Sequence, residues 1–153
     1  MLAQLAVAFD IHWATRWGES ANSQLSPELG LPILPVVELS GPKTQWTKLP
    51  AIREAAGSRP AAWIDDDLGH EEWSWADNRR EPTMLVQTDM TGGMTGRDVE
   101  ELLAFAASLR RKRPPGSDRP LAPLAGALAH AGAERSSISQ AWSSACQAIR
   151  RAA

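Results

Sequence analysis

Apolar and polar positions along this chain change period several times, and each change marks an element. At the start, Leu2, Leu5, Ala6 and Phe9 recur at three- and four-residue intervals, which predicts a helix over residues 1–9. The run Asp10 to Thr15, DIHWAT, reads as a buried strand. Glu19 to Leu29 has helical spacing and is closed by Gly30 and Pro32, a usual C-terminal stop. Pro35 to Leu39 predicts a short strand, Gly41 and Pro42 a loop, and Thr47 to Ala56 a helix stopped by Gly57. Ala61 to Asp65 is a strand, Glu71 to Arg79 a helix, and Thr83 to Thr88 a further strand. The clearest helix begins at Thr95, an N-cap with Asp98 three residues on, and its apolar stripe is Val99, Leu102, Leu103, Ala106 and Leu109.

That helix ends in Arg110, Arg111, Lys112 and Arg113, followed by Pro114, Pro115 and Gly116. Cations in a last turn complement the negative end of a helix dipole. From Ser117 onward the composition shifts to Ala and Ser. Two tail helices are expected, Leu121 to Ala131 and Ser136 to Ala152, with Ile138, Trp142, Ala145 and Ile149 on one side of the second. The organisation read here is an α/β domain over residues 1–113, a linker over 114–120 and a helical tail over 121–153. Strands that alternate with helices predict a doubly wound, Rossmann-like and mainly parallel sheet with helices on its faces. In such folds the site lies at the carboxyl ends of the strands.

Bulk properties narrow the classes. With 153 residues and 43% hydrophobic content, one packed core is affordable. A net charge of -2 speaks against nucleic acid as a partner for the whole surface. The cluster Arg110 to Arg113 keeps a local contact with nucleic acid open, and that contact would be salt-sensitive. The single cysteine, Cys146, excludes an internal disulfide. No apolar run is long enough to span a bilayer, and the start has no basic region of a signal peptide, so the default expectation is cytoplasmic.

Two strands end in polar groups. DIHWAT closes on Thr15, and Ala61 to Asp65 runs into Asp66 and Asp67. Lys48 stands at the first turn of the helix between them, where the helix dipole disfavours a cation unless an anion binds nearby. A hydroxyl and an ammonium suit a phosphate. Carboxylates at a strand end suit a hard cation such as Mg²⁺, which would offset the repulsion among three adjacent acids. Each residue also has a plainer reading: a solvated turn for the acids, a structural hydroxyl for Thr15, a surface cation for Lys48. His70, Asp89, Asp10 and His12 are weaker candidates. Asp10 opens the strand that Thr15 closes, roughly 16 Å away along the chain, so it falls at the opposite edge of the sheet.

The order Thr15, Lys48, Asp65 and Asp66 resembles the haloacid dehalogenase (HAD) superfamily of phosphohydrolases. The wording is similar to a group of small actinobacterial members in the stretches WATRWGESAN, LGLPILPVVEL, WTKLPAI, RPAAWIDDDL and PTMLVQTDMTGGMT. By that resemblance Thr15 and Lys48 would bind phosphate, Asp65 and Asp66 would hold Mg²⁺, and Asp67 would substitute or support them. The substrate would be a phosphorylated compound, and a large cap is not expected between Thr15 and Lys48.

The resemblance also implies an Asp-x-Asp motif after a first strand, its first Asp attacking phosphorus. No such motif precedes Thr15 in this chain. The expected protein is therefore a phosphatase domain impaired as written, or a non-catalytic binding or interaction module with a protein partner or a second copy of itself. The family's first strand lies between the Thr-bearing and Asp-bearing strands. Without it, three resolutions are open: a chain that is a fragment starting downstream of the motif, two flanking strands that close up directly, or a strand supplied by another chain.

Overall fold

The computed structural model describes residues 2–39, 47–112 and 123–126. The elements are α1 (Leu2–Ala8), β1 (Asp10–Trp13), α2 (Ser20–Gln24), α3 (Ser26–Leu29), α4 (Leu49–Ala56), β2 (Ala61–Asp65), α5 (His70–Asp77), β3 (Thr83–Gln87), α6 (Gly96–Arg111) and β4 (Pro123–Gly126). The four strands form one parallel sheet in the order β1-β4-β2-β3.

Alternation along β2 distributes the core. Ala62 and Ile64 point to one face, where they pack with Val86 of β3, Leu5 and Ala8 of α1, and Val99, Leu102 and Ala106 of α6. Trp63 points to the other face and packs with Leu49 and Ile52 of α4 and, at its margin, Trp75 of α5. All five residues of β2 are buried, as a parallel strand covered on both faces requires. A third cluster of Trp13, Ala21, Leu25 and Leu34 seats α2 and α3 against the end of β1, where Trp13 Nε1 donates to Ser26 Oγ at 3.2 Å.

Several expected elements change in detail. The helix expected over Glu19 to Leu29 breaks into two at Leu25. Pro27 lacks the N–H that would continue the ladder, and Gly30 closes α3 with a left-handed φ of 65°. The strand expected over Pro35 to Leu39 reduces to one bridge, Val36 to Trp13. Trp13 N–H donates to Pro35 O at 2.8 Å and Val37 N–H to Trp13 O at 2.7 Å. Thr95 caps α6 as read, with Asp98 completing a reciprocal capping box.

The largest correction concerns the tail. Residues 123–126, expected to be helical, are a strand, and it lies in the slot between β1 and β2. β1 pairs with β4 from Asp10↔Pro123 to Trp13↔Gly126, and β2 from Ala62↔Leu124 to Ile64↔Gly126. The flanking strands therefore do not close up on each other. A gap there would leave two rows of backbone N–H and C=O groups unpaired in the middle of the domain. Satisfying them outweighs the helix preference of an Ala-rich segment, and Pro123 opens the strand because it cannot sit inside a helix. The predicted linker 114–120, the second tail helix, Arg113, Cys146 and the loop at Gly41 and Pro42 lie outside the described residues.

Candidate functional site

Because all four strands are parallel, the ends of β1 and β2 that carry Thr15 and Asp65 emerge at the same edge of the sheet. Trp13 and Ile64 are both level with Gly126, so β1 and β2 reach this edge at the same height. Two strand spacings separate these positions, about 10 Å, across the end of β4.

Asp65 is completely buried, and its carboxylate is enclosed by donors. Lys48 Nζ lies 3.0 Å from Oδ1 and 2.9 Å from Oδ2. Trp63 Nε1 donates to Oδ2 at 3.0 Å, and the backbone N–H of Asp67 donates to Oδ1 at 3.2 Å. Local geometry explains the meeting. Residues i and i+2 of a strand share a face, so Trp63 and Asp65 both look toward α4. Lys48 is the N-cap of α4, so its side chain stands over the end of β2. Pro50 in the first turn of α4 fits a position that needs no N–H donor.

Burial raises the Asp65 carboxyl above its ordinary value, opposed by the charge and hydrogen bond of Lys48, then by Trp63 and the Asp67 amide. The three adjacent acids thus avoid mutual repulsion by different means. Asp65 is inside, against a cation. Asp66 is half-buried, and its Oδ1 is buried without a hydrogen-bond partner among the described residues. Asp67 has an exposed side chain and contributes its backbone amide.

Thr15 is buried at 3% exposure, and its Oγ1 accepts from Trp17 N–H at 3.3 Å. It shares the edge with Lys48 and Asp65 and makes no hydrogen bond to either among the described residues. The structure therefore brings Lys48 and Asp65 into contact, with Asp66 adjacent, and leaves Thr15 at the same edge but apart. As a metal ligand Asp65 does not fit in this arrangement, because an ammonium occupies both oxygens. Asp66 Oδ1 is a single available donor. No group of three or more His, Cys, Asp or Glu side chains among the described residues is placed to hold a metal ion.

The weaker candidates separate. Asp10 opens β1 at the far edge, 3.2 Å from His12 Nε2 and 3.6 Å from Arg59. Asp89 is exposed and organises its own turn, accepting from the backbone N–H groups of Thr91 and Gly92 and from the Thr91 hydroxyl, which together hold its carboxyl below the ordinary range. His70 is the exposed first residue of α5. Trp63 escaped the sequence reading. Its signal was its position two residues before a buried acid in a strand, which puts an indole N–H on the carboxylate's side.

What fold and site define is a small α/β domain with a parallel sheet and a buried ion pair at the carboxyl ends of its strands. No helix among the described residues is long and apolar enough to cross a membrane. No protein-family model, curated protein or solved structure matches the chain.

Proposed function

We propose that this chain is a phosphate-handling α/β domain of the haloacid dehalogenase type that, as written, binds a phosphorylated ligand without hydrolysing it. The observation that carries the proposal is the buried Lys48 ammonium, held at the carboxyl end of β2 on the edge it shares with Thr15. A phosphate between β1 and β2 would take a hydrogen bond from Thr15 and compete with Asp65 for Lys48. Gly126, which ends β4 in that gap, adds no side chain to it.

Turnover needs a carboxylate in line with phosphorus. The strand between β1 and β2 is the place such a group would follow. After Gly126 the sequence runs Ala127-Leu128-Ala129-His130-Ala131-Gly132-Ala133, and the first carboxylate is Glu134. Mg²⁺ belongs to this proposal through Asp66, whose Oδ1 has no partner among the described residues, and through Asp65 only where Lys48 releases an oxygen. No step is assigned to it.

The test pairs binding with turnover. An aryl phosphate is offered to the full chain with and without Mg²⁺, its binding followed by ³¹P NMR and its hydrolysis by release of the phenol. The expected result is binding weakened by Thr15→Val, with no hydrolysis in either condition. Metal-dependent hydrolysis would overturn the non-catalytic part, and binding indifferent to Thr15→Val would overturn the site. A second reading, a protein-interaction module, is favoured by one observation: Asp65 already neutralises Lys48. It predicts no phosphate binding at all.

A further inference from the structure

A cleft of about 590 Å³ lies between α4 and α5, lined by Leu49 and Arg53 from α4, by His70, Glu71 and Trp75 from α5, and by Arg79. Its two guanidinium groups are the unusual feature. Arg79 is fixed in place: Nη1 donates to Thr83 Oγ1 at 2.8 Å, and Nη2 donates to the carbonyls of Gly57 and Arg59 at 2.9 and 2.8 Å. Its guanidinium also stands over the Trp75 ring, 5.0 Å from the centroid. All these partners are neutral. Among the described residues no carboxylate lies within 4.0 Å of Arg79 or of Arg53. Three of the five N–H groups of Arg79 are used, which leaves two to donate.

We propose that this cleft is a binding site for a small ligand carrying phosphate or carboxylate groups. A guanidinium that is locked in one orientation loses little freedom when it meets an oxyanion. Both Nη2 hydrogens are taken, so Arg79 offers single N–H donors from Nε and Nη1 rather than a two-pronged fork, and Glu81 offsets part of its charge. Arg53 lines the same cleft from α4, so a ligand with two acidic groups has two cations to meet there. Glu71 sets a limit on the anion's position by repelling it from the first turn of α5, so the ligand lies toward Trp75 and Arg79. The site is independent of the phosphate reading for the sheet edge. It shares no side chain with Thr15, Lys48 or Asp65, although Trp75 packs edge-on against Trp63 at 6.2 Å between ring centroids.

The test is a titration of the full chain with pyrophosphate and, separately, with malonate, followed through the indole N–H resonance of Trp75, which Trp75→Phe identifies. The expected result is a saturable shift of that resonance with at least one of the two anions. Its affinity falls about tenfold in Arg53→Gln, the loss of one charge-assisted contact, and is unchanged in Thr15→Val. Saturation by pyrophosphate alone identifies a phosphate ligand, and saturation by both identifies a general oxyanion site. Absence of a Trp75 shift with either anion overturns the inference, as does a shift that Arg53→Gln leaves unchanged. Binding lost in Thr15→Val and kept in Arg53→Gln assigns the anion to the sheet edge and also overturns it. The Arg53 side chain is exposed and makes no hydrogen bond among the described residues, and its backbone carbonyl, which accepts from Gly57 N–H, is kept in the variant, so Arg53→Gln folds as the parent does.

Discussion

Replacing Lys48 by Met removes the cation from a carboxylate that water does not reach. Asp65 is 0% exposed and Lys48 9%. At a separation near 3 Å the attraction is about 5 kcal/mol for an effective dielectric constant near 20. Among the described residues, the Trp63 indole and the Asp67 amide are the donors left to the carboxylate in Lys48→Met. Breaking one side of a buried pair typically costs about 3–5 kcal/mol, and that loss is expected at pH 7 by urea denaturation.

The pH dependence has a definite sign. Burial raises the Asp65 carboxyl in the folded state. Its contribution to stability is therefore complete below the unfolded pKa and is lost as pH rises through the folded one. Lys48→Met removes the strongest opposing influence and lifts the folded pKa further, so the variant is hurt less near pH 4 than at pH 7. The double variant Lys48→Met/Asp65→Asn carries no buried charge and recovers part of the loss, the Asn amide offering one acceptor to the two donors that remain. A single-variant loss below about 1 kcal/mol, or a double variant no more stable than the single, would refute the reasoning.

Three other outcomes follow from the same geometry. Trp63→Phe keeps the ring in the core but deletes the donor to Asp65 Oδ2, and is expected to cost about 1–3 kcal/mol in urea denaturation. A chain ending at Lys112 loses β4 and leaves four residues of β1 and three of β2 without their central partner. It is expected to lose near-UV circular dichroism and a cooperative thermal transition, and an unchanged melting profile would show that β4 is dispensable. Thr95→Ala removes the cap of α6, whose Oγ1 accepts from Asp98 N–H at 3.3 Å, and should lower stability by about 1 kcal/mol.

Local signals in the sequence carried the elements with self-contained causes. The Thr95 and Asp98 pair marks the start of α6, and the bounds of β2 follow from an apolar run that ends in acid. Alternation of strands and helices predicted a parallel sheet, and all four strands are parallel. The common edge of Thr15, Lys48 and Asp65 was also legible, because strand ends and helix starts alternate in such a sheet.

Contacts between distant residues were not legible. Whether Lys48 faces a ligand or a carboxylate depends on how α4 sits over β2, and in the structure it faces Asp65. The indole of Trp63 joins them because strand period and helix placement coincide there. Pro123 to Gly126 is the extreme case. Taken by itself, PLAG carries no strand signal and stands in an Ala-rich stretch of sequence. Its conformation comes from the unpaired backbones of β1 and β2 on either side of it. Sequence determined which segments are regular, through local propensity and period. Tertiary structure decided what fills the centre of the sheet and which charge Lys48 meets, because both depend on groups buried far apart in the chain that must find partners in the fold.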